Sequence, residues 1–142
     1  MPDKVYLGQK DYQQVKVIQK LTTLLNLDVQ VVVAQTRREA SGLAMSSRNM
    51  RLNAEQKTIA AGIYETLNYL RNHYKAVSFD ELITEAKERL LRKGFTKIDY
   101  VAIADAETLE QVKRYDAAKK HIALVAAFLG DVRLIDNMLL EN

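Results

Sequence analysis

The stretch at residues 29–34 is the feature that most constrains the fold of this chain. It is rich in β-branched valine, and such a run favours a strand buried within a sheet. Upstream, residues 4–7 predict a short strand that runs into Gly8, and apolar residues then recur at helical spacing as far as Leu25. Residues 1–34 therefore predict one β-α-β unit. A unit of this length cannot cover both faces of its own sheet. It either packs on the rest of the chain or is the last piece of a longer protein, and we favour the second.

The remainder of the chain predicts a second, α+β unit. Asn53 is a favourable helix N-cap, and residues 59–74 carry one apolar face at helical spacing. A further helix is predicted from Ser78 to a stop at Gly94. Three strand-like stretches come after it, at residues 98–104, 122–129 and 132–140. The predicted fold class is therefore α/β, with a C-terminal α+β domain in which helices pack on a small antiparallel sheet.

The composition excludes several classes of protein. With 142 residues, of which 48% are hydrophobic, the chain can bury one core. It has no cysteine, which removes disulfides, thiolate catalysis and zinc–thiolate sites. A net charge of +3 is too small to argue for nucleic acid, and the longest apolar run is far too short to span a membrane. We expect a soluble cytoplasmic protein that acts on neither nucleic acid nor membranes.

Residues 42–49 place a glycine, two hydroxyls and a guanidinium in a stretch with little preference for helix or strand. The hydroxyls and N–H groups of Ser46 and Ser47 can hold phosphate oxygens, and Arg48 can grip them bidentately. Met45 can lie against an adenine ring. The alternative, equally favoured by the residues themselves, is a serine-rich connector whose arginine pairs with a carboxylate.

A second candidate site is the turn that joins Gly8, Gln9, Lys10 and Asp11. Glycine at the end of a strand lets the backbone approach a nucleotide, lysine can contact phosphate, and aspartate can bind ribose hydroxyls. Alternatively, Gly8 only makes the turn and Asp11 only caps the next helix. The residues alone favour this alternative.

The two histidines, His73 and His121, are the candidates for acid–base chemistry near neutral pH. They fall at the predicted end of a helix and the predicted start of a strand. We interpret both as structural or solvated residues.

Three stretches taken together resemble a known family. They read LGQKDYQQ at residues 7–14, REASGLAMSSRN at residues 38–49 and FLGDVRLIDN at residues 128–137. In order and spacing they resemble the pantothenate synthetases, also called pantoate–β-alanine ligases. The resemblance implies an enzyme of the route to coenzyme A. Pantoate and ATP with Mg²⁺ would give pantoyl adenylate and pyrophosphate, and β-alanine would then displace AMP to give pantothenate.

By matching positions, the resemblance implies contacts from the first predicted unit. Gly8, Gln9, Lys10 and Asp11 are expected to contact ATP, with Lys10 directed toward phosphate and Asp11 toward ribose. Gln14 is expected to bind pantoate.

The resemblance also implies contacts from residues further along the chain. Arg37 is expected where the family presents backbone to adenine. Met45, Ser46, Ser47 and Arg48 are expected to close over the adenine and the phosphates. The implied catalytic residues are Lys10, Ser46, Ser47 and Arg48, and no metal ligand is assigned.

The resemblance covers only the C-terminal half of the family's chain. Residues 1–35 are expected to be the end of a Rossmann-like nucleotide-binding domain, and residues 36–142 the C-terminal lid domain. The family's His-x-Gly-His-type motif, most pantoate contacts and the usual dimer surface belong to the other half. We therefore expect a fragment of a homodimeric ligase that does not make pantothenate alone.

A hypothesis from another class is a non-catalytic basic binding module. In that case Arg37, Arg38 and Arg48 would hold RNA or an acidic partner. Binding that weakens steeply with salt and does not respond to ATP would favour it.

Overall fold

The computed structural model describes residues 2–141, and the chain divides between Arg37 and Arg38 into two compact units. The first unit contains strand β1 (Lys4–Gly8), a short 3₁₀ helix (Gln9–Asp11), helix α1 (Tyr12–Leu24) and strand β2 (Gln30–Ala34). The two strands pair in parallel, with Lys4 opposite Gln30 and Gly8 opposite Ala34. The predicted β-α-β unit is therefore confirmed. The assignment of residues 1–35 and 36–142 to two domains of a ligase stays a prediction.

The expectation that residues 29–34 form a buried strand is wrong for this chain. Val33 on β2 is 38% exposed, and Tyr6 on β1 is 67% exposed. The physical reason is that two strands and one helix cannot enclose a sheet, although α1 buries Tyr12 and Val15. The outer side of α1 is also apolar and exposed, with Leu24 at 68%.

In the second unit the predicted first helix is divided in two, α2 (Ala54–Ala60) and α3 (Gly62–His73). Asn53 caps α2 as predicted: its Oδ1 accepts from Gln56 N–H at 2.8 Å, and Gln56 Oε1 accepts from Asn53 N–H at 3.0 Å. The interruption falls at Ala61, immediately before Gly62, and glycine is a weak helix former.

Helix α4 (Phe79–Lys93) begins and ends at the predicted residues. Ser78 Oγ accepts a hydrogen bond from Glu81 N–H at 3.3 Å and so caps the first turn. Gly94 ends the helix with φ +119°, a left-handed conformation that glycine adopts without a steric penalty.

Three antiparallel strands complete the second unit: β3 (Lys97–Asp105), β4 (His121–Leu129) and β5 (Val132–Leu139). Their spatial order is β3-β4-β5, which confirms the predicted small antiparallel sheet. One apolar core joins the sheet to α3 and α4 and includes Leu43 and Leu52 from the segment before α2. Its most completely buried large side chains include Leu67, Leu70, Phe79, Leu82, Leu90 and Ile103. No helix within residues 2–141 has the length and apolar character needed to cross a membrane.

Candidate functional site

In the first unit, the predicted nucleotide turn lies at the carboxyl end of the parallel strands. Gly8 ends β1 beside Ala34 of β2, and the 3₁₀ helix then leads into the N-terminal end of α1. Parallel sheets bind ligands at this edge, and a helix N-terminus favours an anion because its N–H groups carry partial positive charge. Arg37, which comes after β2, is exposed.

The backbone angles of Gly8 and the side chain of Asp11 bear on the alternative explanation of this turn. Gly8 has an ordinary extended backbone (φ −79°, ψ 136°), and a Cβ added to it would meet no atom within 4 Å. Asp11 is the N-cap residue of α1, but its side chain makes no capping hydrogen bond. The backbone at position 8 therefore does not require glycine, and Asp11 does not cap α1 through its side chain; the nucleotide contacts of both residues stay a prediction.

The other predicted residues of this unit lie around the same turn. Gln9 and Lys10 are half-buried within the 3₁₀ helix. Gln14 is exposed in the first turn of α1, three residues after Asp11, so both side chains lie on one face of the helix start. The first unit thus brings together Gly8, Gln9, Lys10, Asp11 and Gln14.

In the second unit, the predicted phosphate-binding residues lie at the exposed end of a loop. We call residues 45–48 the 45–48 tip. Met45 is 52% exposed, Ser47 and Arg48 are exposed, and Ser46 is half-buried. Ser46 Oγ accepts from Arg48 N–H at 3.2 Å and caps the short 3₁₀ helix Ser47–Arg51. Ser47 and Arg48 are therefore accessible, and the binding of phosphate by these residues stays a prediction.

The guanidinium of Arg48 is hydrogen-bonded to an uncharged group. Its Nη1 donates to the backbone oxygen of Arg133, on β5, at 3.0 Å. No carboxylate in the described part of the chain pairs with it. Its charge therefore stays available to an anion, which is not the arrangement that the serine-rich connector required.

Residues outside the predicted set hold the loop that carries the 45–48 tip. Arg38 forms a bidentate ion pair with Asp136 of β5, at 2.5 Å for Nη1–Oδ2 and 3.1 Å for Nη2–Oδ1. Its guanidinium also lies over the Tyr64 ring, 4.6 Å from the centroid. Because the ion pair neutralises Arg38, it removes one of the three arginines on which the basic binding module depends.

Gly42 and Asn49 complete the support of the loop. Gly42 has φ +92°, and a Cβ added there would lie 2.2 Å from Tyr64 Cδ2, so only glycine fits. Asn49 is 5% exposed, and its Nδ2 donates to Ala44 O at 3.0 Å, which ties the two ends of the 45–48 tip together. Asn49 Oδ1 is buried without a hydrogen-bond partner among the described residues.

Sequence reasoning noticed Arg38 only as a basic residue and did not single out Asp136. One signal could have found the pair. Asp136 alternates along β5 with Leu134 and Met138, which belong to the apolar core, so a carboxylate occupies a core position. A buried carboxylate needs a partner. The sequence does not indicate which arginine is the partner of Asp136.

The histidines have structural contacts, as predicted. His73 is exposed, with Nδ1 2.8 Å from Tyr69 O. His121 is fully buried: its Nδ1 is hydrogen-bonded to Glu141, and its Nε2 accepts from Asp116 N–H at 3.3 Å. Burial alone would raise the pKa of Glu141, but hydrogen bonds from the His121 backbone and ring lower it.

The described residues contain no group of three or more His, Asp or Glu side chains placed to hold a metal ion.

The chain is similar to known proteins in sequence and in fold. Residues 1–139 match the family described as Pantoate-beta-alanine ligase. The chain is 34% identical to the crystal structure of pantothenate synthetase from Thermus thermophilus, with a TM-score of 0.89, over 99% of this chain and 51% of that one. It is 32% identical to pantoate-beta-alanine ligase from Francisella tularensis, complexed with beta-gamma ATP and beta-alanine, with a TM-score of 0.67, over 99% of this chain and 45% of that one. The chain thus spans about half the length of these enzymes. It belongs to the pantoate–β-alanine ligase family.

Proposed function

We propose that this chain carries part of the active site of an ATP-dependent ligase that joins pantoate to β-alanine through pantoyl adenylate. The observation that carries the proposal is the 45–48 tip. It exposes a guanidinium that no carboxylate of the described chain neutralises, beside the hydroxyls of Ser46 and Ser47. The Francisella relative, crystallised with beta-gamma ATP and beta-alanine, supports these two substrates.

In the first proposed step, a carboxylate oxygen of pantoate attacks the α-phosphorus of ATP, and the bond to the β-phosphate breaks to release pyrophosphate. Negative charge grows on the leaving group as this bond breaks. Arg48 stabilises that charge bidentately, and Ser46 and Ser47 donate hydrogen bonds to the same phosphates. Met45 packs against the adenine ring.

In the second proposed step, the amine of β-alanine attacks the acyl carbon of pantoyl adenylate, AMP leaves, and the amine loses a proton as the amide of pantothenate forms. This chain's residues act in both steps by binding and orienting. Lys10 contacts phosphate, Asp11 accepts from the ribose hydroxyls, and Gln14 hydrogen-bonds pantoate. The open space above Gly8 allows close approach of the nucleotide to the backbone at Gly8 and Gln9, and the backbone at Arg37 faces adenine.

Mg²⁺ would accompany ATP in this reaction. It keeps several waters and binds substrate phosphates, so it does not need a cage of protein side chains. When bound, it would reduce the negative charge of the phosphates.

The chain spans about half the length of its relatives, so it supplies only part of the contacts. We propose that these 142 residues alone do not release pyrophosphate from pantoate and ATP, because the 45–48 tip cannot stabilise a transition state whose substrates are not fully held.

The contacts can be tested by titrating the ¹⁵N-labelled chain with millimolar ATP and following its amide resonances. We expect shifts clustered at residues 8–11 and 45–48. Arg48→Ala should weaken ATP binding about tenfold or more, whereas Arg51→Ala should not. Arg51 is the matched control because it is an arginine three residues away that pairs with Asp131.

Equal weakening by the two substitutions, or shifts scattered over the basic surface, would overturn the proposal. Tight binding of RNA that falls steeply with salt, with no response to ATP, would favour the basic binding module instead.

A further inference from the structure

We infer that the buried ion pair between Arg38 and Asp136 is a positioning device that sets where the 45–48 tip lies on β5. The inference rests on the proposed function, since it concerns the loop that would close over ATP. Neither residue belongs to the proposed ATP contacts. Their role would be to act through Arg48 and its neighbours.

The contacts of Arg38 extend in three directions. Besides Asp136, its Nη1 donates to Gly42 O at 3.1 Å, and its Nη2 donates to Asn137 O at 3.4 Å. The face of the guanidinium lies over Tyr64 on α3. One planar side chain thus links the start of the loop to β5 and to α3, and a lysine could not reproduce this geometry because it lacks the fixed fork.

Asp136 is an unusual residue for its position. Its side chain is only 3% exposed, on the face of β5 that otherwise carries core residues. Replacing a buried ion pair by apolar residues of similar volume is often neutral or stabilising. The stability of the sheet therefore does not by itself account for a charge here, which points to a role in fixing one arrangement of the loop.

A continuous set of contacts connects the pair to the 45–48 tip. The backbones of Arg38 and Ala44 form an antiparallel bridge, so the residue whose side chain pairs with Asp136 is joined through its backbone to the residue that precedes the tip. Ala44 O in turn accepts from Asn49 Nδ2, which fixes the residue immediately after the tip. Arg48 then contacts β5 a second time, through Arg133 O.

The two attachments to β5 lie three residues apart, at positions 133 and 136. At about 3.3 Å per residue this separates them by about 10 Å along the strand. Two attachments to one rigid strand define both the position and the direction of the loop segment that runs from Arg38 to Arg48. Without the ion pair to Asp136, the backbone bridge between Arg38 and Ala44 would remain, but the attachment to β5 would depend on the exposed hydrogen bond from Arg48.

The decisive experiment replaces the pair by an apolar one, in the double variant Arg38→Met/Asp136→Leu. Three quantities are measured: the urea midpoint of unfolding, the ¹⁵N order parameters of the amides at residues 45–48, and the dissociation constant for ATP. The midpoint reports whether the variant is folded, and it should fall somewhat because Gly42 O and Asn137 O lose their bonds to Arg38. In the folded variant we expect lower order parameters in the tip and ATP binding weakened at least about tenfold. A purely structural pair would leave the last two unchanged in a variant that folds.

The matched control is Asp99→Asn. Asp99 pairs with the side chain of Arg133, on β5, at 2.9 Å, and this pair is about 40% exposed. Arg48 contacts only the backbone oxygen of Arg133, which the substitution leaves in place. We expect wild-type order parameters and ATP affinity for this variant. Should the double variant unfold, Arg38→Lys keeps the charge while losing the bidentate fork, and it should also lower the order of the tip.

Wild-type order and wild-type ATP affinity in a folded double variant, or in Arg38→Lys, would overturn the inference. The two proposals fail separately. If the wild-type chain does not respond to ATP at residues 45–48, the proposed function fails, while the order parameters without ATP still decide whether the ion pair positions the tip.

Discussion

Substituting Gly42 by alanine should destabilise the second unit strongly. A Cβ at this position would lie 2.2 Å from Tyr64 Cδ2 and 2.7 Å from Cγ, well inside van der Waals contact. The Tyr64 ring cannot move away freely, because the Arg38 guanidinium lies over it at 4.6 Å. The left-handed backbone adds about 1–2 kcal/mol for any residue with a Cβ, and overpacking adds about 1–3 kcal/mol. The expected loss of unfolding free energy is therefore about 2–5 kcal/mol.

Urea unfolding followed by far-UV circular dichroism measures this loss, with two other glycines as controls. Gly130 also has a positive φ, +59°, but a Cβ there meets nothing within 4 Å. Gly130→Ala should therefore show only the backbone cost of about 1–2 kcal/mol. Gly8→Ala, at a backbone that alanine adopts freely, should be neutral or stabilising by up to about 1 kcal/mol.

The reasoning is refuted if Gly42→Ala is no more destabilising than Gly130→Ala. A double-mutant cycle with Tyr64→Ala gives an independent check. Removing the ring should relieve the steric part of the cost, so the double variant should be more stable than the sum of the single changes predicts.

Three further predictions concern stability. Glu141→Gln should reduce the loss of stability in acid. The hydrogen bonds that lower the pKa of Glu141 below its ordinary value of 4.5 stabilise the fold above that pH, and this stabilisation is lost as pH falls through the folded-state pKa. Thermal unfolding measured as a function of pH tests this prediction. Ser78→Ala should remove the cap of α4 and lower the unfolding free energy by about 1 kcal/mol, measured by urea unfolding. Asp131→Asn should change the same quantity by less than about 0.5 kcal/mol, because its ion pair with Arg51 is largely exposed; a larger change would contradict the assignment of this pair to the solvated surface.

The order of helices and strands could largely be predicted, because local preferences decide it. Asn53, Ser78 and Gly94 mark helix ends through hydrogen bonds and backbone angles that involve only near neighbours. The break between α2 and α3 escaped prediction, since the apolar spacing continues across Ala61. The burial of β2 was also mispredicted. The valine-rich run shows that the strand has apolar side chains to bury, but not whether this chain supplies a surface that covers them.

The candidate site, too, could be predicted from the sequence only in part. The residue types at positions 8–11 and 45–48 are compatible with phosphate chemistry, but by themselves they left the structural alternatives open, and the family resemblance favoured ATP contacts. The sequence by itself therefore determined most of the helices and strands and the family resemblance, from which the predicted ligand contacts follow. Only the tertiary structure decided that Arg38 meets Asp136 across 98 positions, that Tyr64 restricts position 42 to glycine, and that Arg48 rests on a carbonyl. Such contacts depend on how α3 and β5 pack against the loop, and no local preference encodes the distance between groups so far apart in the chain.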